Sequence, residues 1–163
     1  MIKFIDYKKD YLRFKTEYDK AWEDVNMRGD LILRRDIEEF EQRLADYVGT
    51  KYAVALSSGT DAIYLALKAL GIGRGDEVIT SSGTFKATVG AIINSGATPI
   101  LVDIGKDGLM NMEKIEEKIT PKTKVIMPVH IAGMMCDMKR LNDIIEDRDI
   151  NIIEDQCQGL GAK

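Results

Sequence analysis

Apolar positions along the chain follow two alternating habits. Short runs at Tyr52–Leu56, Glu77–Thr80, Thr98–Val102, Lys124–Pro128 and Ile150–Glu154 have the length and bounding turns of buried strands. Between them, Asp61–Leu70, Phe85–Ser95, Met112–Ile119 and Met138–Glu146 carry apolar residues at helical spacing. This alternation predicts an α/β fold, a three-layer, mostly parallel sheet flanked by helices. Ahead of the first run, Ile37, Phe40, Leu44 and Val48 fall on one face of a further helix. Earlier still, Tyr11, Phe14, Tyr18, Trp22 and Val25 recur at helix-like intervals through Asp10–Met27, an aromatic stripe suited to core or subunit packing rather than to a ligand. Arg28–Arg35 is the one plausible flexible join. Two segments are therefore expected: residues 1–33, helical and packed on the domain or on a partner subunit, and residues 34–163, the α/β body.

Composition narrows the classes. A chain of 163 residues with 45% apolar and 31% charged residues suits one soluble globular domain with a real core. Its net charge of −4, with Lys and Arg dispersed among acids, argues against a nucleic-acid footprint. The longest apolar candidate, near Val125–Met135, is broken by Pro128 and His130, so no membrane partner is expected. Met1–Asp6 lacks the continuous apolar run of a signal peptide. Cys136 and Cys157 stand apart and form no zinc-type spacing, which fits a reduced cytoplasmic protein with two ordinary thiols and no metal.

Two short stretches carry candidate chemistry. In Ala55–Ala62 an apolar run turns through Ser57-Ser58-Gly59-Thr60 into a helix, presenting backbone N–H groups and hydroxyls where the macrodipole favours an anion such as phosphate. The same residues also suit a plain N-cap, and the local pattern leaves both readings open. In Ile150–Gln158 an apolar run ends in Glu154-Asp155, an acid placed at a strand's carboxyl end. Ligands of open α/β sheets bind beyond those ends, so the two stretches can converge despite their separation in sequence. His130, the sole histidine, follows an apolar run and reads as structural.

Taken together, Ser58-Gly59-Thr60-Asp61-Ala62, Gly75-Asp76-Glu77-Val78-Ile79-Thr80, Gly83-Thr84-Phe85 with Ala87-Thr88, Val102-Asp103, Pro128-Val129-His130 with Gly133, and Glu154-Asp155 with Gln158 stand in an order that resembles one family. It is the DegT/DnrJ/EryC1/StrS group of fold-type I, pyridoxal-phosphate-dependent sugar aminotransferases. The resemblance runs over nearly the whole chain and implies the incomplete large domain of such a transferase. It implies pyridoxal 5'-phosphate as cofactor, gripped at its phosphate by Ser58, Gly59 and Thr60 and stacked upon by Phe85. Asp155 would pair with the pyridine nitrogen and Gln158 would lie near the ring oxygen. The family's Schiff-base lysine has no counterpart here: Lys163 is too close to Asp155, and Lys86, where the family commonly has an apolar residue, reads as solvent-facing. No catalytic residue is therefore assigned, and the chain alone is expected to be inactive. The full enzyme would be a cytoplasmic homodimer passing an amino group, commonly from glutamate, to a nucleotide-linked keto sugar. Family members with the lysine replaced are dehydratases, which leaves the reaction type open. Arg34-Arg35 replaces the family's usual Gly-Pro and puts that turn in doubt. Two alternatives stand beside this one: a non-catalytic binding or regulatory module of the same fold, and a Rossmann-like nucleotide binder. Against the latter, no G-x-G-x-x-G turn follows the first apolar run.

Overall fold

In a computed structural model, which describes residues 5–29, 32 and 34–162, the chain falls into two compact units, Met1–Ala55 and Leu56–Lys163. The expected sequence features at Met1–Phe4 and Lys163 lie outside the described residues.

The first unit is helical. Helix α1 (Tyr7–Arg13) starts at Asp6, whose side chain accepts a hydrogen bond from the Lys9 N–H at 3.2 Å, and α2 (Lys15–Arg28) follows after a break at Phe14. The single helix expected over Asp10–Met27 is thus two, because Phe14 leaves helical geometry at φ −116° and ψ 20°. Its aromatic stripe is real: Tyr11 and Tyr18 stack with centroids 6.2 Å apart, and Phe14 meets Tyr18 edge-on. These rings are largely exposed, Trp22 at 74%. Helix α3 (Arg35–Val48) buries Ala45, with Ile37 and Leu44 half-buried beside it. Arg34 is extended (φ −88°, ψ 162°) and Arg35 is the first helical residue, the position a proline favours, so the Arg-Arg pair preserves the helix start.

The second unit carries the sheet. Strands β1 (Glu77–Ser81), β2 (Thr98–Val102), β3 (Thr123–Met127) and β4 (Asn151–Ile152) run parallel in the order β2-β1-β3-β4. Side chains alternate across the sheet. Val78, Val125 and Met127 face one layer with Ile63 and Leu67 of α4 (Gly59–Ala69) and Ala91 and Ile92 of α5 (Lys86–Ser95). Ile79 and Ile126 face the other, against Leu141 and Ile144 of α6 (Met138–Ile145). The three-layer α/β architecture is the one expected.

Three elements differ from expectation. Tyr52–Leu56 forms no strand: its alternating Tyr52 (73% exposed), Val54 (74%) and Leu56 pair with no described segment, and β propensity without a partner makes no ladder. Met112–Ile119 is two short 3₁₀ turns, Met112–Lys114 and Glu116–Lys118. Only Ile115 of this stretch is buried, too narrow an apolar face to sustain an α-helix, and Pro121 disfavours helical backbone at Thr120. The last strand shrinks to two residues because Pro128 beside it has no N–H. Pairing resumes at a bridge between Val129 and Asp155, with the Asp155 N–H donating to the Pro128 carbonyl at 3.0 Å.

Candidate functional site

The chain runs from β1 to β2 on one side and then to β3 on the other, so strand order reverses at β1. Beyond the carboxyl ends of the strands around that switch point lies a pocket of about 420 Å³. Its wall draws Gly59 and Thr60 from the start of α4, Phe85 from the turn after β1, His130 from the turn after β3, and Asp155, Cys157 and Gln158 from the segment after β4. Five of the six residues expected at a cofactor site meet here.

Ser58, the sixth, is held below the wall as the N-cap of α4. Its hydroxyl accepts from the Asp61 N–H at 3.2 Å and donates to Asp61 Oδ2 at 2.9 Å, and Ser57 donates to the same oxygen. The Ser57 hydroxyl, then that of Ser58, hold the Asp61 carboxyl below the usual carboxylate range. With the cap satisfied by side chains, the first turn of α4 reaches the pocket as Gly59 and Thr60. A Cβ on Gly59 would stand 2.8 Å from Cys157 Sγ, so the close approach of the two segments needs a glycine.

Phe85 is the N-cap residue of α5 and is 63% exposed; the ring belongs to the pocket, not to the core. One turn further on, the fully buried Thr88 donates its hydroxyl to Asp155 Oδ2 at 2.9 Å, and the Thr84 hydroxyl lies 2.8 Å from that of Thr88. Asp155, 8% exposed, also accepts the Cys157 N–H on Oδ1 at 3.2 Å. No Lys, Arg or His among the described residues forms an ion pair with it. The pocket therefore contains a nearly buried carboxylate, hydrogen-bonded by neutral donors, with acceptor capacity left over.

His130 is fully buried. Its Nδ1 accepts the Cys136 N–H at 3.1 Å, which places the ring proton on Nε2, 3.0 Å from Glu154 Oε2. The His130 N–H donates to the Asp155 carbonyl at 3.1 Å. The ring thus ties the loop after β3 to the segment bearing Asp155, as its structural reading expected. In that loop Ala132 adopts left-handed backbone (φ 54°), and its N–H donates to Gln158 Oε1 at 2.7 Å. The Gln158 oxygen is thereby committed, which leaves its NH₂ as the donor available to the pocket.

Two residues at or behind the pocket wall were given no role from sequence: Cys157, which lines it, and Thr88, which is buried behind it against Asp155. Thr88 opens the buried face of α5 that continues through the apolar Ala91 and Ile92; a hydroxyl at the head of such a face was the available signal. Cys157 was read as an ordinary thiol, yet it lines the pocket. Burial pushes that thiol up, and the Asp155 carboxylate beside it pushes it further, so it is a poor nucleophile. Lys86 is exposed and stands off the wall, and among the described residues no lysine lines the pocket. No described group of His, Cys, Asp and Glu could hold a metal ion, and no described helix is long and apolar enough to cross a membrane.

The model of the DegT/DnrJ/EryC1/StrS aminotransferase family matches residues 13–163. A dTDP-3-amino-3,6-dideoxy-alpha-D-galactopyranose transaminase of Aneurinibacillus thermoaerophilus is 42% identical over 99% of this chain and 45% of its own. The crystal structure of Streptomyces venezuelae DesV superposes with a TM-score of 0.95 at 38% identity, over 98% of this chain and 43% of that one. Bacillus subtilis NtdA, solved with bound cofactor PMP, gives a TM-score of 0.81 at 42% identity over 94% of this chain and 34% of its own. The chain thus spans less than half the length of these relatives. With 151 consecutive residues under the family model and a relative's fold matched nearly throughout, the chain belongs to the DegT/DnrJ/EryC1/StrS aminotransferase family.

Proposed function

We propose that this chain forms the pyridoxal-phosphate-binding portion of a sugar aminotransferase, corresponding to the amino-terminal part of such an enzyme. The observation that carries the reading is the convergence of Gly59, Thr60, Phe85, Asp155 and Gln158 on one pocket from three separate stretches of chain. Their chemistry fits the cofactor. A helix N-terminus with a glycine and a hydroxyl suits a phosphate; an exposed aromatic ring suits a flat heterocycle. A nearly buried carboxylate without a cationic partner suits a protonated ring nitrogen, and an amide with its NH₂ free suits a ring oxygen.

Bound there, pyridoxal phosphate would supply an electron sink for cleaving a bond at the amino-bearing carbon. Each residue of this chain has a distinct part in that chemistry. Gly59 and Thr60 would anchor the phosphate through N–H and hydroxyl groups, and Phe85 would set the ring's tilt. Asp155 would hold the proton on the ring nitrogen, and Gln158 would donate to the ring oxygen without adding charge. Proton transfer at the substrate carbon needs a base, and no described lysine stands at the wall to serve. The chain by itself is therefore proposed to bind the cofactor weakly and not to turn over. In the complete enzyme the acceptor would be a nucleotide-linked keto sugar and the donor an amino acid, commonly glutamate, in a cytoplasmic homodimer. The relatives' sugar-nucleotide chemistry and the exposed rings of α1 and α2 support these last assignments.

The test is a titration of the isolated chain with pyridoxal phosphate, followed by borohydride reduction and mass mapping. Saturable binding with the spectrum of the free aldehyde, and no adduct at a single defined lysine, is the expected result. A stoichiometric adduct at Lys86 would overturn the proposed inactivity. Saturable binding of a dinucleotide in place of pyridoxal phosphate would overturn the cofactor assignment.

A further inference from the structure

Asp155 lies at the meeting point of two segments 67 residues apart in sequence, where the Thr88 hydroxyl reaches its carboxylate. A carboxylate only accepts hydrogen bonds, so the Thr88 hydroxyl must spend its one proton on Asp155 Oδ2, at 2.9 Å. The Thr84–Thr88 contact at 2.8 Å can then run in one direction only, with Thr84 donating to Thr88. Donation from Thr84 polarises the Thr88 hydroxyl and strengthens its bond to the carboxylate. Thr84 precedes the α5 N-cap and Thr88 lies in its first turn, Thr88 is fully buried, and the α5 N-terminus adds its positive dipole end on the same side. The Cys157 N–H holds the other oxygen at 3.2 Å. Asp155 is thus fixed from two sides by neutral donors.

We propose that Thr88, supported by Thr84, is a positioning residue that fixes the Asp155 carboxylate as a preset partner for a cationic ring nitrogen in the pocket. This rests on the cofactor reading above. Asp155 makes the contact, and the threonines act only through it. Their loss should reduce the pocket's preference for a ring that carries a nitrogen, while phosphate anchoring at α4 is untouched.

The probes are pyridoxal phosphate and its 1-deaza analogue, in which the ring nitrogen is replaced by CH, titrated calorimetrically into the isolated chain. The native chain is expected to prefer pyridoxal phosphate. Thr88→Val, which keeps the shape and removes the hydroxyl, is expected to cut that preference about tenfold, the scale of a hydrogen bond to a charged group. Thr88→Ser should restore it. Thr84→Val removes only the outer donor and should give a smaller loss, which keeps the idea testable if Thr88→Val does not fold. A folded Thr88→Val chain with the native preference would overturn the inference and leave the cofactor site standing. A native chain that binds both probes equally, or neither, would overturn the pairing of Asp155 with the ring and the inference with it.

Discussion

Replacing Asp155 by alanine is expected to weaken pyridoxal phosphate binding by about 100-fold, enough to remove it from a titration of the isolated chain. The reason is the setting of the acid. At 8% exposure, with Thr88 and the Cys157 N–H as its described donors, Asp155 offers a poorly hydrated negative charge to whatever cation enters the pocket. Truncating one member of such a pair leaves the other charge without a counterpart. Asp155→Asn removes the charge at nearly constant shape: the amide oxygen can still accept the Cys157 N–H, and its NH₂ can donate to the Thr88 hydroxyl. It should retain the native circular dichroism spectrum and still bind as poorly as the alanine variant. In any enzyme that contains this segment together with a downstream lysine, both variants should be severely impaired. Unchanged affinity in Asp155→Asn would mean that the acid is not the ring's partner.

A second large effect belongs to stability. His130→Ala should cost about 3 kcal/mol, lowering the unfolding midpoint by roughly 10 °C in a thermal melt. The fully buried ring accepts the Cys136 N–H and meets Glu154, and Gly159 packs so closely that an added Cβ there would lie 2.6 Å from His130 Cβ. Truncation leaves a cavity and an unsatisfied N–H together. The loop bearing Ala132, whose N–H orients Gln158, should loosen with it, so cofactor binding falls as well. His130→Asn places an acceptor near the former Nδ1 position and should recover part of the loss. A melt of His130→Ala that matches the native chain would remove the ring's structural role.

The places where sequence reading succeeded and failed have physical causes. Thr98–Val102 was legible to the residue because a short apolar run between turns finds a parallel partner in β1. Tyr52–Leu56 has a similar local pattern, but a strand is a property of a pair, and no described segment pairs with it. The split at Phe14 was equally invisible, since the aromatic spacing continues across it. Gly59, Asp155 and Gln158, expected together from the order of their blocks, do line one pocket. The commitment of the Ser58 hydroxyl to Asp61, and of the Thr88 hydroxyl to Asp155, depends on contacts that no local pattern encodes. Residues that line a pocket can be named from motifs; residues that hold them in place emerge only when the segments are brought together.

The most direct test of the account is a crystal structure of this chain with pyridoxal phosphate. The account predicts the phosphate at the Gly59–Thr60 turn, the ring on the Phe85 face and the ring nitrogen toward Asp155. Density for the cofactor in another groove, or in this pocket with the nitrogen turned away from Asp155, would contradict it.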